Sequence, residues 1–164
     1  ARRIGSASTA TANERWGSWA WIFPATYIVH IAEECFAADG FPAWASNLAR
    51  LEFTTTRFLA INAVALTAMT LASALVFARP ALRWLVATLG AIVALNGALH
   101  IVTSLITQSY SPGTVTGLVL WIPLGGLALR SARKWLSTKS FVAAVAVGVI
   151  AHGLVTAVAV LVSL

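Results

Sequence analysis

His30, Glu33 and Glu34 stand within five residues of one another in the run YIVHIAEECF, Tyr27 to Phe36, whose other members are almost all apolar. On a helix, positions i, i+3 and i+4 share one face, so the imidazole and both carboxylates are expected to project together. The chain has two more histidines, His100 and His152, each in an apolar run of its own, and Asn96 lies one turn before His100. Imidazole with carboxylate is a donor set that suits zinc or non-haem iron. Di-iron carboxylate bundles present Glu-x-x-His from one helix, and His30-x-x-Glu33 is that spacing reversed. The expected metal ligands are therefore His30, Glu33, Glu34, His100 and His152, holding zinc or iron as one ion or a di-metal pair. Glu33 or Glu34 would serve as general acid or base. Asn96 fits a donor standing behind the ligands better than a ligand.

Several chemistries are excluded. His-x-x-Glu-Glu is not the His-Glu-x-x-His order of the zincins, and the chain has neither a Gly-x-Ser-x-Gly elbow nor a glycine-rich phosphate loop. Cys35 is the single cysteine, so no intrachain disulfide forms, and a small buried hydrophobe is its expected role.

The elements that must position these groups follow from composition. Hydrophobic residues make up 59% of the 164 and charged ones 10%, with a mean hydropathy of +0.85. A soluble domain carries about a quarter charged residues. Runs near the roughly 20 apolar residues that cross a bilayer recur along the chain, which predicts an all-α polytopic membrane bundle. Five transmembrane helices are expected, at about 16–38, 56–78, 81–107, 113–129 and 140–164, forming one domain behind an N-terminal arm, 1–15. The fourth is short and interrupted by Pro123.

Positive residues favour the cytoplasmic side. With the N-terminus inside, Arg2, Arg3, Arg15, Arg79, Arg83, Arg130, Arg133, Lys134 and Lys139 all fall there, and only Arg50 and Arg57 fall outside. That alternation supports a cytoplasmic N-terminus and an outside C-terminus. Trp16, Trp19, Trp21, Trp84 and Trp135 sit at the inner ends, as an interfacial aromatic belt would. At about 1.5 Å per residue, His30, His100 and His152 all lie roughly 20–25 Å from the inner ends of their spans. They share the outer half of the bilayer. The outer loop 39–55 is a short surface helix or an ordinary connection. Basic residues between apolar runs, not along a helix face, give no nucleic-acid footprint.

His30-Ile31-Ala32-Glu33-Glu34 resembles the signature of the HXXEE family of small bacterial integral membrane proteins. The similarity continues through NGALHIVTSLITQSYSPGTVTGLVLWIP, where Asn96 and His100 resemble an Asn-x-x-x-His element, Tyr110, Pro112 and Gly113 a Tyr-x-Pro-Gly element, and Pro123 follows. The resemblance covers the chain from about Trp19 onward. It implies the five-helix membrane fold and a pairing of the first and third spans, and it supplies no substrate. Locally, Pro112 and Gly113 suit a tight outer turn that caps the polar site, with Tyr110 near its rim.

The function expected is an intramembrane metal-dependent enzyme acting on a lipid-soluble substrate, a lipid or an isoprenoid. In a metal-free variant, a protonated glutamic acid donates to an alkene or epoxide. The alternatives are a structural or assembly subunit of a membrane complex and a proton or metal transporter component. The expected setting is a bacterial cytoplasmic membrane, with membrane lipids as partners and a homo-oligomer or complex partner open.

Overall fold

The computed structural model describes residues 16–164, so the arm 1–15, with Arg2, Arg3 and Arg15, lies outside the described residues. Every regular element described is helical. After a single turn at 16–19 come α1 (Ile22–Phe36), α2 (Phe41–Ala49), α3 (Thr55–Ala78), a 3₁₀ turn (Pro80–Leu82) and α4 (Leu85–Thr107). Then follow α5 (Thr114–Trp135) and α6 (Thr138–Leu161).

Among the described residues four helices, not five, are long and apolar enough to cross a membrane: α3, the 3₁₀ turn with α4, α5, and α6. The run expected as a first span breaks at Ala20 and Trp21 and leaves α1 only 15 residues long. That is about 22 Å, short of a hydrocarbon core of about 30 Å. Pro24 explains the break, because it has no N–H to give the Ala20 carbonyl. That carbonyl instead accepts the Phe23 amide at 3.2 Å and the Ser73 hydroxyl of α3 at 2.9 Å. The interruption is thereby built into a helix–helix contact.

The fourth span is longer than expected and runs through Pro123. A π-helical turn, Gly117–Trp121, directly precedes that proline. A wider turn of this kind is a known way to absorb a local fault in the α ladder. It also sets Trp121, almost fully buried, against the faces of His30 and Tyr27.

α4 is the central helix. Half of its most apolar stretch is buried, against 17% in α3 and 11% in α6. Val64, Leu71, Ile150 and Leu154 stay exposed on those outer helices, as side chains that meet lipid would. Small residues bring the backbones close. A Cβ on Gly97 would stand 2.9 Å from the Gly117 carbonyl, and one on Gly148 would stand 2.6 Å from the Thr88 carbonyl. Thr88 also donates to the Ala144 carbonyl at 2.9 Å. Close approach with hydroxyl-to-carbonyl bonds is how helices associate where no hydrophobic force separates protein from lipid.

Consecutive antiparallel helices put the loops at 79–84 and 136–137 at one end of the bundle. The loops at 37–54 and 108–113 lie at the other, with the histidines. Within the 37–54 segment, α2 folds as a helix and lays Phe41 within 5.5 Å of the His100 ring.

Candidate metal and cavity site

α1 delivers His30 and Glu34 from adjacent turns, and α4 delivers His100. His30 Nε2 lies 3.7 Å and His100 Nε2 3.3 Å from Glu34 Oε1. All three side chains are buried, and the atoms they offer lie within 4.8 Å of one another. Donors about 2.0–2.2 Å from a tetrahedral ion stand roughly 3.3–3.5 Å apart. The two imidazole–carboxylate pairs, at 3.7 and 3.3 Å, are near that spacing, and with all three atoms within 4.8 Å a site would close by side-chain adjustments on the ångström scale.

The far nitrogen of each ring is held by a hydroxyl. His30 Nδ1 lies 2.6 Å from Thr116 Oγ1, and His100 Nδ1 lies 3.0 Å from Ser111 Oγ. This fixes both rings with Nε2 turned to Glu34, the arrangement metal-binding imidazoles use to set tautomer and orientation. Trp121 packs flat on His30, with centroids 3.7 Å apart. Three buried polar atoms here, His30 Nε2, Asn96 Oδ1 and Trp121 Nε1, have no hydrogen-bond partner among the described residues. Buried groups are rarely left so, and an ion or a bound oxygen would satisfy them.

Glu33 does not join this group. Its carboxylate turns to the start of α5 and accepts four hydrogen bonds. Oε1 takes the Tyr110 hydroxyl at 2.5 Å and the Gly113 and Val115 amides at 3.1 and 2.9 Å, and Oε2 takes the Thr116 amide at 2.6 Å. Those amides are the unpaired donors of a helix N-terminus, where negative charge is favoured. Adjacent carboxylates point apart because successive helical residues are about 100° apart around the axis. Glu33 therefore pins the 108–113 loop and α5 to α1, which in turn places Thr116 under His30. Gly113 permits the junction. It has φ +102°, and a Cβ there would lie 2.7 Å from His100 Cε1. The outer turn expected from Pro112 and Gly113 is thus present, with Tyr110 at its rim.

His152 of α6 and Asn96 line the same cavity as the three-residue group without belonging to it. Ser111, Thr116, Trp121, Tyr27 and Asn62 went unnoticed in the sequence. The last two are joined by a 2.7 Å bond from the Tyr27 hydroxyl to Asn62 Oδ1. Of these only Tyr27, three residues before His30, carried any sequence signal.

The cavity measures about 370 Å³ and is lined mainly by apolar side chains of α3, α4 and α6, with His30, Glu34 and His100 at its polar end. Fold and site together give a bundle of helices apolar enough to cross a membrane, with a buried two-imidazole, one-carboxylate group opening on an apolar cavity. The family described as "protein of unknown function with HXXEE motif" matches residues 21–128, and the chain belongs to this HXXEE family. His30, Glu33 and Glu34 spell its motif inside the matched stretch, and His152 lies beyond it. No curated protein and no solved structure matches the chain.

Proposed function

We propose that this protein is an intramembrane enzyme that holds one zinc or non-haem iron ion on His30, Glu34 and His100 and acts on a lipid-soluble substrate drawn from a bacterial cytoplasmic membrane. The observation that carries this reading is the convergence of two oriented imidazoles on one buried carboxylate at the wall of an apolar cavity. Two histidines and a carboxylate are the protein ligands of hydrolytic zinc sites and of non-haem iron oxygenases. Such an ion, when bound, supplies Lewis acidity or activates water or dioxygen.

The chain's own residues divide the remaining work. Glu34 would balance the ion's charge and could exchange a proton with a substrate oxygen in the cavity. Asn96 and His152 face the same cavity and are placed to orient that oxygen. Trp121 and Phe41 keep water from the imidazoles. Glu33, committed to four donors, holds the wall in place and takes no chemical step.

The cavity argues for a substrate chamber over an ion path. From Ile92 to Leu85 on α4 and from Ala65 to Ala72 on α3 its lining is alanine, leucine, isoleucine and methionine, and Thr88 is the polar side chain there. A proton or metal relay needs polar groups in succession.

The test is to incubate purified protein in nanodiscs with extracted bacterial membrane lipids and follow the lipids by mass spectrometry. A product that forms with wild type, and disappears on chelation and in Glu34→Gln, supports the proposal. Identical lipid profiles in all three would refute it.

A further inference from the structure

We infer that the substrate is a long single-chain lipid with an uncharged, oxygen-bearing head, an alcohol, aldehyde or ester, that lies with its head at Glu34 and its chain between α3, α4 and α6. This rests on the reading of the site as an enzyme's and names the substrate class for it. Three observations carry it.

The first is shape. Along α4 the lining runs from His100 down to Leu85, and along α3 from Phe58 to Ala72. At about 1.5 Å per residue both stretches measure about 21–22 Å. A volume of about 370 Å³ drawn out over that length is a channel one chain wide, not a chamber for a folded or two-chain lipid. The channel exists because α3 presents Ala65, Ala68 and Ala72 to it; α6, with Ala151 and Ala159, lines only the end near His100. Positions seven apart, such as 65 and 72, lie on the same helical face two turns apart.

The second is access. Ala68, Val155 and Thr156 line the cavity and are also exposed on the outer surface. The channel is therefore open sideways between α3 and α6, towards lipid, and a chain can enter without crossing water.

The third is charge. No lysine or arginine lines the cavity, so a phosphate would find no cationic side chain there and would have to compete with Glu34 and the two imidazoles for the ion itself. Burying an unpaired charge there is costly. The polar end instead offers amide and imidazole groups, through Asn62, Asn96 and His152, which suit a neutral oxygen.

The test uses native mass spectrometry of the protein in nanodiscs, with unbranched primary alcohols and their acetate esters of increasing length as probes. Occupancy should rise with chain length and then stop at a cutoff. Ala72→Phe, near the closed end, should shorten the cutoff, and Ala65→Phe should shorten it further, the two differing by a chain segment of about 10 Å. Leu85→Ala should lengthen it. Ala72→Leu and Ala65→Leu, which add less volume, should shift the cutoff in the same order, so the comparison survives if a phenylalanine variant does not fold. Alkyl phosphates of matched length should bind more weakly than the alcohols.

A cutoff that none of these variants moves, or binding with no dependence on length, would overturn the inference. Tighter binding of the alkyl phosphates would overturn its uncharged head. Metal content of the same preparations is a separate readout. Shifted cutoffs in a protein without metal would refute the metal site and leave the chain channel standing. Bound metal with an unmoved cutoff would refute the channel alone.

Discussion

Glu34 Oε1 stands 3.3 Å from His100 Nε2 across the interface of α1 and α4, in a pocket where both side chains are buried. Its sequence neighbour Glu33 reaches in another direction and closes the N-terminus of α5 with hydrogen bonds from Tyr110 and three backbone amides. On the proposed reading the doubled glutamate is one ligand and one clamp. Its two members should fail in different ways when altered.

Glu33→Ala removes acceptors from several amides at once. A hydrogen bond to a charged group contributes about 1.5–3 kcal/mol, and water at this half-buried edge recovers part of the loss. The expected result is a destabilisation of about 2 kcal/mol, read as a lowered unfolding midpoint in detergent. Glu33→Gln should fall in between. Stability equal to wild type in Glu33→Ala would contradict the clamp.

Ser111 and Thr116 hold the outer nitrogens of the two rings. Removing such partners typically costs about 10–100-fold in metal affinity. Ser111→Ala and Thr116→Val should each weaken zinc binding in that range, as measured by competition with a chromophoric chelator. Unchanged affinity in both would mean that ring orientation is set elsewhere.

How much of this was legible in the sequence depends on which physical signal each residue carried. His30, Glu34 and His100 stood out because titratable groups are expensive in an apolar run. Helical spacing put His30 and Glu34 on one face, and the family resemblance implied the pairing of the first and third apolar runs that brings His100 to them. The division between Glu33 and Glu34 was not legible, because it depends on where α5 begins relative to α1. Membrane helices were plain from hydropathy alone, yet the count came out one too high. Window hydropathy does not register that Pro24 frees the Ala20 carbonyl and that Ser73, far along the chain, is there to take it. For the same reason Pro123 looked like an interruption, when the π turn before it lets the helix continue. Ser111 and Thr116 look ordinary in sequence, and only the fold brings them to the imidazoles.

Tyr110 gives a pH test at the outer rim. Partial burial, and then the hydrogen bond it donates to Glu33 with that carboxylate's charge, push its phenol from 10.0 up to about 12. Because the folded value is raised, the stabilisation from this contact is fully present below the ordinary phenol range of about 10. It is lost as pH rises through about 12. Subtracting the phenolate absorbance of Tyr110→Phe from that of wild type should show Tyr110 ionising near the upper value. Ionisation at the ordinary value would contradict the contact.

The most direct measurement of the central claim is element-specific metal analysis of purified protein, with Glu34→Gln and Glu33→Gln prepared alongside. Roughly one equivalent of zinc or iron is expected in wild type and in Glu33→Gln, and close to none in Glu34→Gln. Equal metal in all three, or metal lost with Glu33 and kept without Glu34, would contradict a site built on His30, Glu34 and His100.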